Sequence, residues 1–128
     1  MRREIFVSTG NAGKLGEFSR LLGGRYEIKG NSDFPGIAMP EEDGATFAEN
    51  ASIKALAAAN HSKTLALADD SGLVVDALNG APGVHTARYG GDSAKGDVER
   101  YLLLLANLKD VPEGKRSARF VCAVALAR

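Results

Sequence analysis

Glu4-Ile5-Phe6-Val7-Ser8-Thr9-Gly10-Asn11-Ala12-Gly13-Lys14-Leu15-Gly16-Glu17-Phe18-Ser19-Arg20-Leu21-Leu22 is the stretch that decides the fold. Glu4 to Ser8 reads as a short β-strand. Small residues follow from Thr9 to Gly13. Leu15, Phe18, Leu21 and Leu22 then fall at helical spacing, and Gly23-Gly24 stops the helix. A strand, a glycine-bearing loop and a helix in that order open an α/β pattern. The loop is also chemically suggestive. Small residues let backbone N–H groups approach an anion, the helix N-terminus adds partial positive charge, and Lys14 adds a full one. Its spacing matches neither a P-loop nor the dinucleotide fingerprint. The same stretch also suits a plain strand-to-helix turn whose glycines only relax the backbone.

Outward from that stretch the α/β order continues. Tyr26 to Lys29 is a weaker strand, and Gly30 to Gly44, rich in Gly, Pro, Asp and Glu, is a loop. Thr46-Phe47-Ala48-Glu49 fits a capping box, and an alanine-rich helix runs from Phe47 to about Asn60. Thr64 to Ala68 is a compact apolar strand. Asp69-Asp70-Ser71-Gly72 interrupts it, and Leu73-Val74-Val75 resumes it. Asn79 to Gly83 is a turn. Val98, Tyr101, Leu102, Leu105 and Leu108 mark a further amphipathic helix. Pro112-Glu113-Gly114 is another turn, and Ala118 to Ala127 is a final strand that reads as buried. Cys122 within it reads as a small core residue.

Composition bounds the function. The chain has 128 residues, 45% hydrophobic, with 16 basic and 16 acidic residues and formal net charge zero. That length suits a single domain, 1–128, able to bury a core without staples. A neutral chain lacks the basic surface that long nucleic acid selects. The longest purely apolar run, Phe120 to Ala127, is too short to span a bilayer as a helix. No long apolar stretch follows Met1-Arg2-Arg3, so no signal peptide is expected. The one cysteine excludes an internal disulfide and points to a reducing compartment, the cytoplasm.

The carboxylates form the second constellation. Asp69 and Asp70 interrupt apolar sequence on both sides, and charges in that setting must be solvated, paired or metal-bound. Ligands of open α/β sheets gather at strand ends. Ionised carboxylates beside the Ser71 hydroxyl suit Mg²⁺, which bridges protein oxygens to phosphates. A solvated turn is the alternative. Glu41 and Glu42, in Pro40-Glu41-Glu42-Asp43-Gly44, offer further ligands or a merely solvated acidic loop. Asn50 and Lys54 share a helix face beside the apolar stripe Phe47, Ala51, Ala55 and Ala58. On periodicity alone Lys54 reads as a solvated surface lysine. Arg88 orders a loop or meets an anion, and His85 reads as structural. Arg116 and Arg119 flank the last strand and suit a dimer contact.

Together these pieces resemble the inosine/xanthosine triphosphate pyrophosphatases, the non-canonical purine nucleoside triphosphatases. The resemblance is carried in order by Ser8 to Lys14 with Glu17, by Thr46 to Ala51 with Lys54-Ala55, by Ala68 to Leu73, and by Gly80 to Tyr89. Arg116 to Phe120 adds a weaker match. It implies an α/β/α sandwich with a mixed, two-lobed central sheet and a cleft between the lobes, in a homodimer. It implies Mg²⁺-dependent hydrolysis of ITP, dITP or XTP to the monophosphate and pyrophosphate, which clears deaminated purines. By matching position, Thr9, Gly10, Asn11, Ala12, Gly13 and Lys14 would hold the triphosphate, with Lys54 and Ser71 assisting. Asp70 would bind the metal and act as the base, with Asp69, Glu41 and Glu42 as further metal ligands. The family's Gly-Phe-Gly-Tyr-Asp-Pro segment, a later lysine and a Ser-His-Arg that read the purine are not in this sequence. We therefore expect a further C-terminal portion beyond the final strand. The alternatives are an inactive fragment and a phosphate-binding domain without chemistry.

Overall fold

The computed structural model describes residues 2–128; Met1 of the N-terminal run lies outside them. The α/β order read from the sequence is the order observed. Strand β1 spans Arg3–Ser8, helix α1 Ala12–Leu22, strand β2 Tyr26–Lys29, helix α2 Phe47–Ser62 and strand β3 Ala66–Val75. Helix α3 spans Asp97–Asn107 and strand β4 Ala118–Ala127. The four strands form one sheet in the order β2-β1-β3-β4. β1 is parallel to both β2 and β3, as strands joined by helical crossovers are expected to be.

The residues fall into two compact units. The first comprises the chain up to Asp70 together with Ala123–Arg128, the second Ser71–Cys122. In the first unit β1 and the start of β3 are covered on both faces, and strand alternation decides which residue goes where. Phe6 and Ala66 meet Ala58 and Ala59 of α2, joined by Phe34 and Ile37. Ile5, Val7 and Leu67 point the other way, onto Leu15, Phe18 and Leu22 of α1. This is a helix–sheet–helix sandwich. Alanine at 51, 55, 58 and 59, all buried, is small enough to let α2 approach the sheet closely.

The second unit is held by short-range bonds around 3-10 turns. The Thr86 hydroxyl accepts from the Leu73 N–H at 2.9 Å and donates to the Gly83 carbonyl at 2.6 Å. The Ser117 hydroxyl donates to Asp76 at 2.8 Å. Val75, Ala94 and Leu108 are among its buried apolar residues. His85 and Arg88 lie in the 3-10 helix Gly83–Arg88, with Arg88 Nη2 at 3.4 Å from His85 Nδ1. Arg119 faces Asp76 at 3.5 Å.

Several expectations change. Asp69 to Gly72 does not interrupt a strand, because β3 runs unbroken from Ala66 to Val75. Its carboxylates find partners on the helices, so the ladder has no reason to break there. β4 is not buried: no residue of it reaches core burial, and Phe120, Val124 and Leu126 are exposed. Cys122 shares that uncovered face and is exposed, not a core residue. The capping box at α2 is also shifted. Thr46 Oγ1 accepts from the Glu49 N–H at 3.1 Å as expected, but Glu49 Oε2 reaches back to the Ala45 N–H, at 2.8 Å. Thr46→Ala removes the acceptor for an orphan helix donor. It should lower stability by about 1 kcal/mol in denaturant melts, and Thr46→Ser should restore it.

Candidate functional site

The register of the sheet places the site. Phe6, Val7 and Ser8 pair with Ala66, Leu67 and Ala68. β1 ends at Ser8, while β3 continues through Asp69 and Asp70 beside the departing glycine loop. Both carboxylates therefore stand past the C-terminal end of β1, where open α/β sheets bind ligands.

The loop itself is closed by side-chain bonds. Thr9 Oγ1 accepts from the Asn11 N–H, and Asn11 Oδ1 accepts from the Lys14 N–H, each at 3.1 Å. Asn11 is thereby the N-cap of α1. The Thr9 carbonyl accepts from Asn31 Nδ2 at 3.1 Å. Gly10, Asn11, Ala12 and Gly13 are exposed, so the loop that leads into α1 faces solvent.

Alternation along β3 separates the two aspartates. Ala66 and Ala68 share the face toward α2, and Leu67 the face toward α1. Asp69 therefore points toward α1, where Lys14 Nζ meets its Oδ2 at 2.8 Å. Asp69 is only 3% exposed, so the ammonium partners a buried charge. Asp70 points toward α2, where it receives a hydrogen bond from Asn50 and feels the positive charge of Lys54. Its pKa is raised: burial is the largest cause, opposed by Asn50 and then Lys54, with the negative charges of Glu42 and Asp69 adding to the rise. Asp70 Oδ2 is buried with no hydrogen-bond partner.

α2 and the acidic loop complete this side. Lys54 Nζ lies 3.0 Å from Glu42 Oε1, and its side chain is 16% exposed, so it is not the solvated surface lysine that periodicity suggested. Of the two glutamates, Glu42 is half-buried and near enough to raise the Asp70 pKa, while Glu41 is exposed. Ser71 follows on β3, half-buried, where the second unit begins.

Asn50 is the residue whose importance the sequence did not reveal. It is buried, and its Oδ1 accepts from the Gly44 N–H at 2.8 Å. One amide thus ties the end of the acidic loop to Asp70. A Cβ on Gly44 would lie 2.7 Å from Asn50 Oδ1 and 2.8 Å from Glu49 Cβ, so only glycine leaves room for this latch. The available signal was a Gly six residues before an Asn inside a capped helix start.

The donor set bears on a metal ion. Among the described residues no group of three His, Cys, Asp or Glu side chains is gathered to hold one. Mg²⁺ does not require such a cage; it takes one or two carboxylates, with water and phosphate oxygens for the rest. The unpartnered Asp70 Oδ2, with Glu42 nearby, fits that pattern. Among the described residues no helix is long and apolar enough to cross a membrane.

A family model described as the Ham1 family matches residues 5–128. The chain is 51% identical over 126 residues to a dITP/XTP pyrophosphatase of Geobacillus kaustophilus, covering 98% of this chain and 61% of that protein. It is 48% identical over 130 residues to a dITP/XTP pyrophosphatase of Mannheimia succiniciproducens, covering 100% of this chain and 65% of that protein. Among solved structures, a HAM1 protein from Coxiella burnetii superposes with a TM-score of 0.88 at 42% identity, over 98% of this chain and 63% of that one. A nucleoside-triphosphatase / dITP/XTP pyrophosphatase from Mycobacterium abscessus gives 0.81 at 43% identity, over 96% and 63%. The chain thus spans between 61% and 65% of the length of the curated relatives it matches.

Two outcomes follow from this geometry. Asp70 binds its proton more tightly in the folded than in the unfolded state, so its stability contribution is complete below its ordinary value of 3.8 and is lost as pH rises through the raised folded pKa. Asp70→Asn removes that loss. The variant should melt above the parent at pH 7 and together with it near pH 3, in thermal scans of both. Gly44→Ala should lower the melting temperature by forcing Asn50 from its place, whereas Ala45→Gly, one residue on, should not reproduce the loss of the Asn50 contact in amide exchange at Gly44.

Proposed function

Since the chain belongs to the Ham1 family, we propose that it carries the phosphate- and metal-binding part of a Mg²⁺-dependent dITP/XTP pyrophosphatase. The reaction is cleavage of the triphosphate to the nucleoside monophosphate and pyrophosphate, with deaminated purine nucleotides as substrates. The relatives named above support the substrate class. The observation that carries the reaction type is Asp70: a half-buried carboxylate with one buried, unpartnered oxygen and a raised pKa, beside a lysine-bearing glycine loop.

Each residue has a chemical task. The N–H groups of Gly10, Ala12 and Gly13 and the Lys14 ammonium receive phosphate oxygens, using the positive end of α1. Lys54, already at a carboxylate, adds charge that offsets what develops on the phosphates. Asp70 accepts the proton of the attacking water. Burial makes it a stronger base than an ordinary aspartate, moving it toward the pH at which it works. Asn50 keeps that carboxylate oriented. Asp70 and Glu42 would hold Mg²⁺, with Glu41 the neighbouring candidate, and the ion would supply charge neutralisation and orientation of the phosphates. We also propose a homodimer acting in the cytoplasm.

The product distribution tests this reading. Incubated with dITP or XTP and Mg²⁺, the protein should release pyrophosphate. Release of orthophosphate alone would overturn the assignment. Asp70→Asn should lower kcat by at least about 100-fold while retaining the circular dichroism of the parent.

A further inference from the structure

Lys14 is held at both ends. Its backbone N–H is capped by Asn11, and its ammonium is bonded to Asp69 on the neighbouring strand. The Asp69 side chain is 4% exposed and that of Lys14 is 32% exposed, so the carboxylate is sealed beneath a cation that still reaches solvent. We infer that Asp69 is a positioning residue for polyphosphate binding: through its bond to the Lys14 ammonium it presents that cation to the phosphates. The inference rests on the proposed phosphate-binding role of the loop, and gives Asp69 a task apart from metal binding.

Three physical points support this. A lysine side chain is long and flexible, and localising it costs rotamer entropy that a free lysine meets on binding; one already tethered meets less of it then. An ammonium has three N–H donors, so its bond to Asp69 does not by itself use up its capacity for phosphate oxygens. Strand alternation sends Asp69 and Asp70 to opposite faces, toward α1 and α2, which disfavours a single ion shared between them. The last point separates the two residues despite their adjacency in sequence.

A double-mutant cycle on tripolyphosphate affinity decides the matter, measured by calorimetry with EDTA present so that no metal contributes. Removing a carboxylate near an anion would by itself tighten binding through lost repulsion. Weakening on Asp69→Asn is therefore diagnostic of positioning. The expected loss is about tenfold with Lys14 present, and less than about twofold in the Lys14→Ala background. Asp69→Glu keeps the charge but displaces it by one methylene. It should weaken binding in the same Lys14-dependent way, and it serves if the asparagine variant fails to fold. Mg²⁺ affinity, titrated separately, should match the parent in both variants. Equal losses in the two backgrounds, tighter binding, or a fall in Mg²⁺ affinity would overturn the inference. Failure of the parent itself to bind tripolyphosphate would instead overturn the phosphate-loop reading on which it stands.

Discussion

A β-strand turns successive side chains to opposite faces, and in β3 that rule acts on two adjacent carboxylates. Asp69 is directed toward α1 and Asp70 toward α2. Neither is tolerable in a covered sheet without a cation or a hydrogen-bond donor. The partners that satisfy them are Lys14 on one helix, and Asn50 with Lys54 on the other. Lys54 in turn engages Glu42, and Asn50 engages Gly44, so the acidic loop is drawn to the same place. The glycine loop, both helix starts and the loop before α2 are thus arranged around the charge requirements of one strand.

Much of the fold was legible because its signals are local. β2 and β4 begin and end where composition placed them, and the start of α2 follows from its cap. Sequence alone predicts an interruption at Asp69–Gly72. Two charges and a glycine inside an apolar run look like a turn. What sequence cannot display is that each charge has a partner more than a dozen residues away, which lets the ladder continue. β4 errs in the opposite sense. Its unbroken apolar run is that of a covered strand, yet Phe120, Val124 and Leu126 stand exposed. A hydrophobic pattern states which face a strand offers, not what lies against it.

The site was legible in its residue types and less so in their grouping. Lys14, Asp69, Asp70, Glu42 and Lys54 all stand out on chemistry and resemblance, and the structure brings them to the C-terminal end of β1 and the middle of β3. Grouping the two aspartates as one pair followed chain adjacency, whereas their partners follow strand parity. Lys54 read as solvated because helical periodicity describes one helix and omits the loop that folds over it. Asn50 was noted only as sharing its face. A buried asparagine has the same letter as an exposed one, and its role depends on a glycine whose missing Cβ leaves it room.

The alanine content of α2 then acquires a geometric meaning beyond helix propensity. Ala51, Ala55, Ala58 and Ala59 are buried, and Ala58 and Ala59 pack directly with Phe6 and Ala66 of the sheet. Asparagine is short: its amide can reach a strand carboxylate only if the helix axis lies close to the strand. A larger residue in that stripe would lift the helix by roughly the thickness of the added methylenes, and cores resist such overpacking. The lift would open the Asn50 contact before it exposed much apolar surface. Asp70 would then keep its burial while losing the donor that opposes it. The small residues of α2 therefore act as spacers for chemistry: they set the distance at which the Asp70 carboxylate can be both oriented and left with one oxygen unclaimed.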